Sequence, residues 1–143
     1  MPNIEKATPL DYNEIVKVWE SSVKATHDFL ADEDFEFYKK SMPTDFLPNV
    51  DLYILRDKNA IKGFVGVSGD MLEMLFISAK ERSKGYGKTL LTHAIKNLNI
   101  VKVDVNEQNE QAVGFYKRFG FKQTARSTKD AMGKNYPILH FSL

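Results

Sequence analysis

Residues 82–87 read Arg-Ser-Lys-Gly-Tyr-Gly. The apolar run Met71–Ile77 precedes them, and the helical pattern Leu90, Leu91, Ala94, Ile95, Leu98 follows. A buried strand, a basic glycine turn and an amphipathic helix form an anion-binding device. Glycines let backbone approach an anion closely, and a helix N-terminus offers free N–H groups and a positive dipole end. Lys80, Arg82, Lys84 and Lys88 add cations, opposed locally only by Glu81. The spacing excludes two familiar phosphate loops. G-x-x-x-x-G-K-[ST] is absent, and a dinucleotide fingerprint needs three glycines and a later acid.

A second block lies downstream. Residues 103–121 read Val-Asp-Val-Asn-Glu-Gln-Asn-Glu-Gln-Ala-Val-Gly-Phe-Tyr-Lys-Arg-Phe-Gly-Phe. R-x-x-G-x-G after a central strand, followed by V-x-x-x-N-x-x-A-x-x-F-Y-x-x-x-G-F, resembles the two ordered motifs of the GCN5-related N-acetyltransferases, the GNAT family. The segments Ala25-Thr26-His27-Asp28-Phe29-Leu30 and 105–117 resemble its YjaB-type bacterial branch. Residues 40–70 carry little of the resemblance.

The resemblance implies an enzyme that moves the acetyl group of acetyl-CoA to a primary amine by direct attack in a ternary complex. It implies that backbone groups of Leu75, Phe76 and Ile77 pair with the pantetheine arm. An N–H group among them polarises the thioester carbonyl, where negative charge develops. Arg82, Ser83, Lys84, Gly85, Tyr86, Gly87 and Lys88 hold the pyrophosphate, with Tyr86 contributing shape rather than chemistry. Tyr116, with Phe115 beside it, matches the motif tyrosine that sits by the thioester sulfur. A phenol near pKa 10 against a thiol near 8.5 makes full proton transfer uphill by about 2 kcal/mol. The tyrosine therefore donates a hydrogen bond as the S–C bond breaks. Asn109 matches the motif asparagine and contacts the cofactor or places a water; its position also suits an N-cap.

Glu73 stands apart in an apolar strand, where a carboxylate is costly unless solvated or partnered. It either takes the proton of the acceptor ammonium or marks an exposed strand end. The resemblance implies that the first two helices wall the acceptor pocket, which raises His27, Phe29 and Trp19 as pocket candidates, and Asn106 at a strand end is a further one. The alternative for His27 is a cation at a helix C-terminus and for Trp19 core packing; the pocket is favoured for His27 and the core for Trp19. Tyr136, sharing a face of the last strand with His140, is the remaining acceptor-side candidate. The acidic run Asp28, Asp32, Glu33, Asp34, Glu36 would attract a cationic amine, but is read as a solvated helix start. His93 is structural, and three scattered histidines without cysteine suggest no metal constellation.

The elements that must position these residues follow from periodicity and punctuation. Residues 3–7 form a first strand, and Thr8-Pro9 starts a helix running to about His27. Asp32 caps a second helix through Lys40, broken by Met42-Pro43 and Leu47-Pro48-Asn49. Strands follow at 52–56, 61–68 and 71–77, then the glycine loop and third helix. A strand at 100–105, a helix over 110–119 ended by Gly120, and strands at 121–127 and 136–143 complete the chain. The order β-α-α-β-β-β-α-β-α-β-β predicts an α/β protein with a mixed sheet. The resemblance adds a splayed central sheet.

The 143 residues suit a single domain spanning 1–143, 43% hydrophobic and 27% charged, with net charge +1. No bulk basic field favours nucleic acid. No run has the length of a membrane span, and no secretory signal opens the chain. A cytoplasmic protein with a small-molecule or peptide amine acceptor is expected; monomer and homodimer both stay open. The absence of cysteine removes any thiol-acyl intermediate. The rival reading is a non-catalytic acyl-CoA sensor.

Overall fold

The computed structural model describes residues 2–143. The chain divides into two compact units, Met1–Ile100 and Val101–Leu143. The first unit contains β1 (Asn3–Lys6), α1 (Tyr12–Thr26), α2 (Asp32–Ser41), β2 (Asp51–Asp57), β3 (Ala60–Ser68), β4 (Met71–Ile77) and α3 (Tyr86–Asn97). The second contains β5 (Lys102–Asn106), α4 (Glu110–Arg118), β6 (Lys122–Ser127) and β7 (Ile138–Ser142). The order is the one the periodicity predicts.

In the first unit β1, β2, β3 and β4 pair antiparallel in sequence order. Lys58 (φ 53°) and Asn59 (φ 63°) make the β2–β3 turn with two left-handed residues. That handedness matches the twist of a two-residue hairpin. In the second unit β7 lies between β5 and β6, antiparallel to both.

The first core grows from α1. Ile15, Val18, Trp19, Ser22 and Val23 are buried, the 3–4 spacing of one helix face. They meet Leu52, Ile54, Ile61 and Phe64 from the sheet, and Met42 and Leu47 from the segment after α2. Trp19 stacks on Phe35 at 5.3 Å, as a core residue. α3 contributes Leu90, Leu91 and Ala94, all fully buried.

Several boundaries differ from the sequence reading. Asp32 is the first residue of α2, and Ala31 is its N-cap. Prolines 43 and 48 lie beyond the end of α2 at Ser41, as the sequence reading expects of residues that break it. They occupy early positions of a wide turn (Met42–Phe46) and a 3₁₀ turn (Leu47–Asn49), where a missing N–H costs little. The last strand begins at Ile138, so Tyr136 precedes it and shares no strand face with His140. Its N–H bonds the Lys134 carbonyl at 2.8 Å, a tight turn incompatible with the ladder.

Gly63 shows how closely β3 is packed. A Cβ there would lie 2.5 Å from Ile77 Cδ1 and 2.9 Å from the Phe76 carbonyl oxygen. Gly63→Ala should destabilise the protein by about 1–3 kcal/mol through overpacking. The expected result is a lower urea midpoint; an unchanged midpoint would mean that β4 yields freely.

Candidate active site

The loop after β4 is built by contacts from distant segments. The Ser78 N–H donates to the Lys62 carbonyl at 2.9 Å, and the Ala79 N–H donates to Ser21 Oγ of α1 at 2.9 Å. A 3₁₀ turn (Ala79–Glu81) follows. Ser83 (φ 65°) and Gly85 (φ 85°) are then left-handed. Gly85 has open space where a Cβ would stand, so backbone conformation is what requires glycine there. Ser83 is a non-glycine residue in that region, a strain typical of ligand loops.

Gly85 is the N-cap of α3, and no side chain caps the helix. The first N–H groups of an α-helix have no intrahelical partner. Here they open at the end of a basic turn, which suits an anion.

Glu81 organises the cations. Its carboxylate accepts from Lys62 Nζ at 3.2 Å and Lys84 Nζ at 2.8 Å. The Lys62 and Glu81 side chains are only 13% and 9% exposed, whereas Lys84 is 56% exposed. The hydrogen bonds from Lys84 and Lys62 lower the Glu81 pKa and keep the carboxyl ionised. Glu81 is thus a structural counter-ion, and Lys62 belongs to the cation set although it lies on β3. The Tyr86 hydroxyl donates to Asp57 Oδ2 at 2.9 Å, tying the start of α3 to the β2–β3 turn. That bond also raises its pKa. Lys62, Ser21 and Asp57 have no local sequence signal, because their relation to the loop exists only through the sheet and α1.

On β4, the register skips Glu73: Gly66 pairs with Met74 and Val67 with Leu72. Glu73 is the bulged residue, and it is exposed. A bulge leaves one residue outside the pairing and turns it relative to the pleat, a device common beside active sites. The exposed placement is one of the two sequence readings, and it removes the desolvation cost of a buried carboxylate.

His27 ends α1 as its C-cap and is partly buried. Its ring lies 5.1 Å from that of Phe29 and 6.4 Å from that of Phe76 on β4. The fold therefore joins two predicted acceptor residues to a predicted cofactor-strand residue. The Thr26 hydroxyl donates to the Ser22 carbonyl at 2.8 Å, so at 2.7 Å it accepts from His27 Nδ1–H. Nε2 is then the acceptor nitrogen. Burial pushes the imidazole pKa down to about 4, against a smaller opposing effect of Asp28. His27 is therefore neutral at physiological pH and is not a helix-end cation.

In the second unit Asn109 caps α4: its Oδ1 accepts from the Ala112 N–H at 3.3 Å. Tyr116 is buried, with its ring 5.3 Å from that of Phe115 and 5.8 Å from that of Phe121. Burial raises its phenol pKa above the ordinary tyrosine range. Asn106 ends β5 opposite Ile138, and the adjacent Glu107 N–H donates to the Pro137 carbonyl at 2.9 Å. This brings the stretch holding Tyr136 beside Asn106. Among the described residues no group of three or more histidines and carboxylates is placed to hold a metal ion, and no helix is long and apolar enough to cross a membrane.

The His27 shift predicts a pH dependence. The unfolded chain takes a proton near pH 6.5 that the folded protein refuses until about pH 4. The stabilisation is full above pH 6.5 and is lost as pH falls toward 4, by at most about 3 kcal/mol. Urea midpoints measured from pH 7 to 4 should fall more steeply for the wild type than for His27→Gln. Equal slopes would show that the imidazole titrates as in water.

Comparisons with known proteins show the family. The sequence profile described as an acetyltransferase (GNAT) domain matches residues 17–135. The chain is 39% identical over 141 residues to peptidyl-lysine N-acetyltransferase YjaB of Salmonella typhimurium, covering 98% of this chain and 97% of that protein. The solution structure of apo YjaB from Escherichia coli superposes with a TM-score of 0.91 at 38% identity, covering 99% and 97% of the two chains. A Thermoplasma acidophilum PaiA N-acetyltransferase, solved with coenzyme A, shares the fold at 20% identity and a TM-score of 0.77 over 100% and 99% of the chains. The match to the GNAT profile over residues 17–135 and the near full-length kinship to YjaB make the chain an acetyltransferase of the GNAT family.

Proposed function

We propose that the protein uses acetyl-CoA to acetylate lysine side chains of peptides or proteins, within one domain formed by residues 1–143. The observation that carries the donor is the uncapped start of α3, flanked by Lys62, Lys84 and the left-handed Ser83 and Gly85. These groups fit a pyrophosphate. The acceptor class rests on the peptidyl-lysine activity named for the YjaB relatives.

When bound, acetyl-CoA supplies an acetyl group activated as a thioester. In this reading residues 82–88 hold the diphosphate, and backbone groups of Leu75, Phe76 and Ile77 align the pantetheine arm. An N–H group of that strand donates to the thioester carbonyl and stabilises charge that develops there. Phe115 and Asn109 shape the cofactor side, and Asn109 does so while capping α4. Tyr116 donates a hydrogen bond to the departing sulfur. Its burial supports this role, because a raised phenol pKa keeps the donor protonated and disfavours complete transfer.

His27, Phe29, Asn106 and Tyr136 face the acceptor in this proposal. Neutral His27 offers Nε2 to a donor hydrogen. Glu73, exposed at its bulge, takes the proton from the acceptor ammonium directly or through a water. With no cysteine in the chain, the amine attacks directly rather than by way of a cysteine thioester.

Thermal denaturation with acetyl-CoA, CoA, ATP and NADPH tests the donor. At a hundred times its dissociation constant a ligand stabilises by about 2.7 kcal/mol, a shift of several degrees at this size. The expected shift occurs with acetyl-CoA and CoA only; none with either would remove the proposal. Tyr116→Phe should lower kcat on a lysine peptide by roughly 10²-fold or more while the acetyl-CoA dissociation constant changes little. Full turnover in that variant would dismiss the tyrosine's role, and acetyl-CoA binding without turnover of any amine would favour a sensor.

A further inference from the structure

The second unit carries a constellation that amine acetylation does not use. Asp104 on β5 and His140 on β7 are direct cross-strand partners. His140 Nδ1 lies 2.6 Å from Asp104 Oδ1, and His140 Nε2 lies 2.6 Å from Ser127 Oγ. Ser127 ends β6, two residues beyond Ala125, the partner of His140, and so stands diagonally across the same sheet face. β7 sits between the other two strands, so its histidine reaches both neighbours at once.

The hydrogen-bond chemistry has a direction. Asp104 accepts from Nδ1–H, which fixes that tautomer and leaves Nε2 with a lone pair aimed at the Ser127 hydroxyl. A nucleophile bonded to a base, itself oriented by a carboxylate, is the arrangement that activates serine for acyl transfer. The side chains of His140 and Asp104 are 32% and 42% exposed, so a small ester can reach the face from solvent. Val103 and Val105, on the alternate positions of β5, are buried, so this is the open face of the strand.

We propose that Ser127, His140 and Asp104 form a second acyl-transfer site, one that hydrolyses small activated acyl esters through an O-acyl-Ser127 enzyme. Ser127 Oγ bonds to the acyl carbon while its proton passes to His140 Nε2. The bond from the acyl carbon to the ester oxygen breaks, and His140 returns the proton to the departing alcohol. Water then attacks the acyl-serine, gives a proton to His140, and the carboxylic acid leaves as Ser127 Oγ regains that proton. Ser127 and His140 touch the reacting atoms; Asp104 is a positioning residue. The site is independent of acetyl-CoA and of the amine acceptor.

The test treats the intact protein with a biotinylated fluorophosphonate under conditions that label a serine protease to completion, then locates the adduct by peptide mass spectrometry. The expected adduct is on Ser127. Its formation should slow roughly tenfold or more in His140→Ala and in Asp104→Asn, and p-nitrophenyl acetate hydrolysis should fall to the uncatalysed rate in Ser127→Ala. His140→Gln covers the case in which the alanine variant does not fold. Nitrogen-15 spectra should show the Nδ1–H tautomer of His140 in the wild type and its loss in Asp104→Asn, a readout that packing alone would not move. No adduct, an adduct on another hydroxyl, or undiminished labelling without His140 would each overturn the proposal and leave a polar ladder that only joins three strands.

Discussion

Backbone N–H groups that find no partner inside a helix must meet something else, and at the start of α3 the N-cap is Gly85, which has no side chain to offer them. The surrounding architecture of the first unit follows from that demand. β4 delivers the chain to the loop, the Lys62 carbonyl holds its first amide, and Ser21 of α1 holds the next. Left-handed Ser83 and Gly85 then turn the chain into the helix. The cost of the strained serine and the uncapped helix is tolerated because Leu90, Leu91 and Ala94 anchor α3 in the core.

Charge around this loop is arranged, not merely accumulated. Glu81 is buried between two lysines, and a buried carboxylate would be costly without them. Lys62 is the more enclosed of the two, and Lys84 the more exposed. The pair thus combines a fixed strut with a cation that faces solvent and any anion arriving from it. Near-neutral net charge accords with a local field of this kind.

The two units use strand irregularity for different ends. On β4 the bulge at Glu73 puts a carboxylate outside the ladder in an otherwise apolar strand. On β6 the register skips Thr124, so that Ala125 faces His140 and Ser127 reaches the same sheet face. Alternation alone would not have placed Ser127 beside His140. The first irregularity serves the proposed removal of a proton from the acceptor amine; the second makes possible a contact that the motifs do not mention.

The order of elements, the glycine turn and the α4 motif were legible from sequence, because each rests on local rules: period 3.6, period 2, a left-handed glycine and a capping asparagine. Trp19 as core and Asn109 as a cap were legible for the same reason. The start of the last strand and the neutrality of His27 were not, since each depends on what packs against the segment. Lys62 with Glu81, Tyr86 with Asp57, and Asp104 with His140 and Ser127 are pairs separated by 13 to 36 residues along the chain. Sequence determined which groups were available and which backbone could bind an anion. Only tertiary structure decided which charges neutralise one another and which hydroxyl meets a histidine, because hydrogen bonds and desolvation act over a few ångströms of space, whatever the separation along the chain.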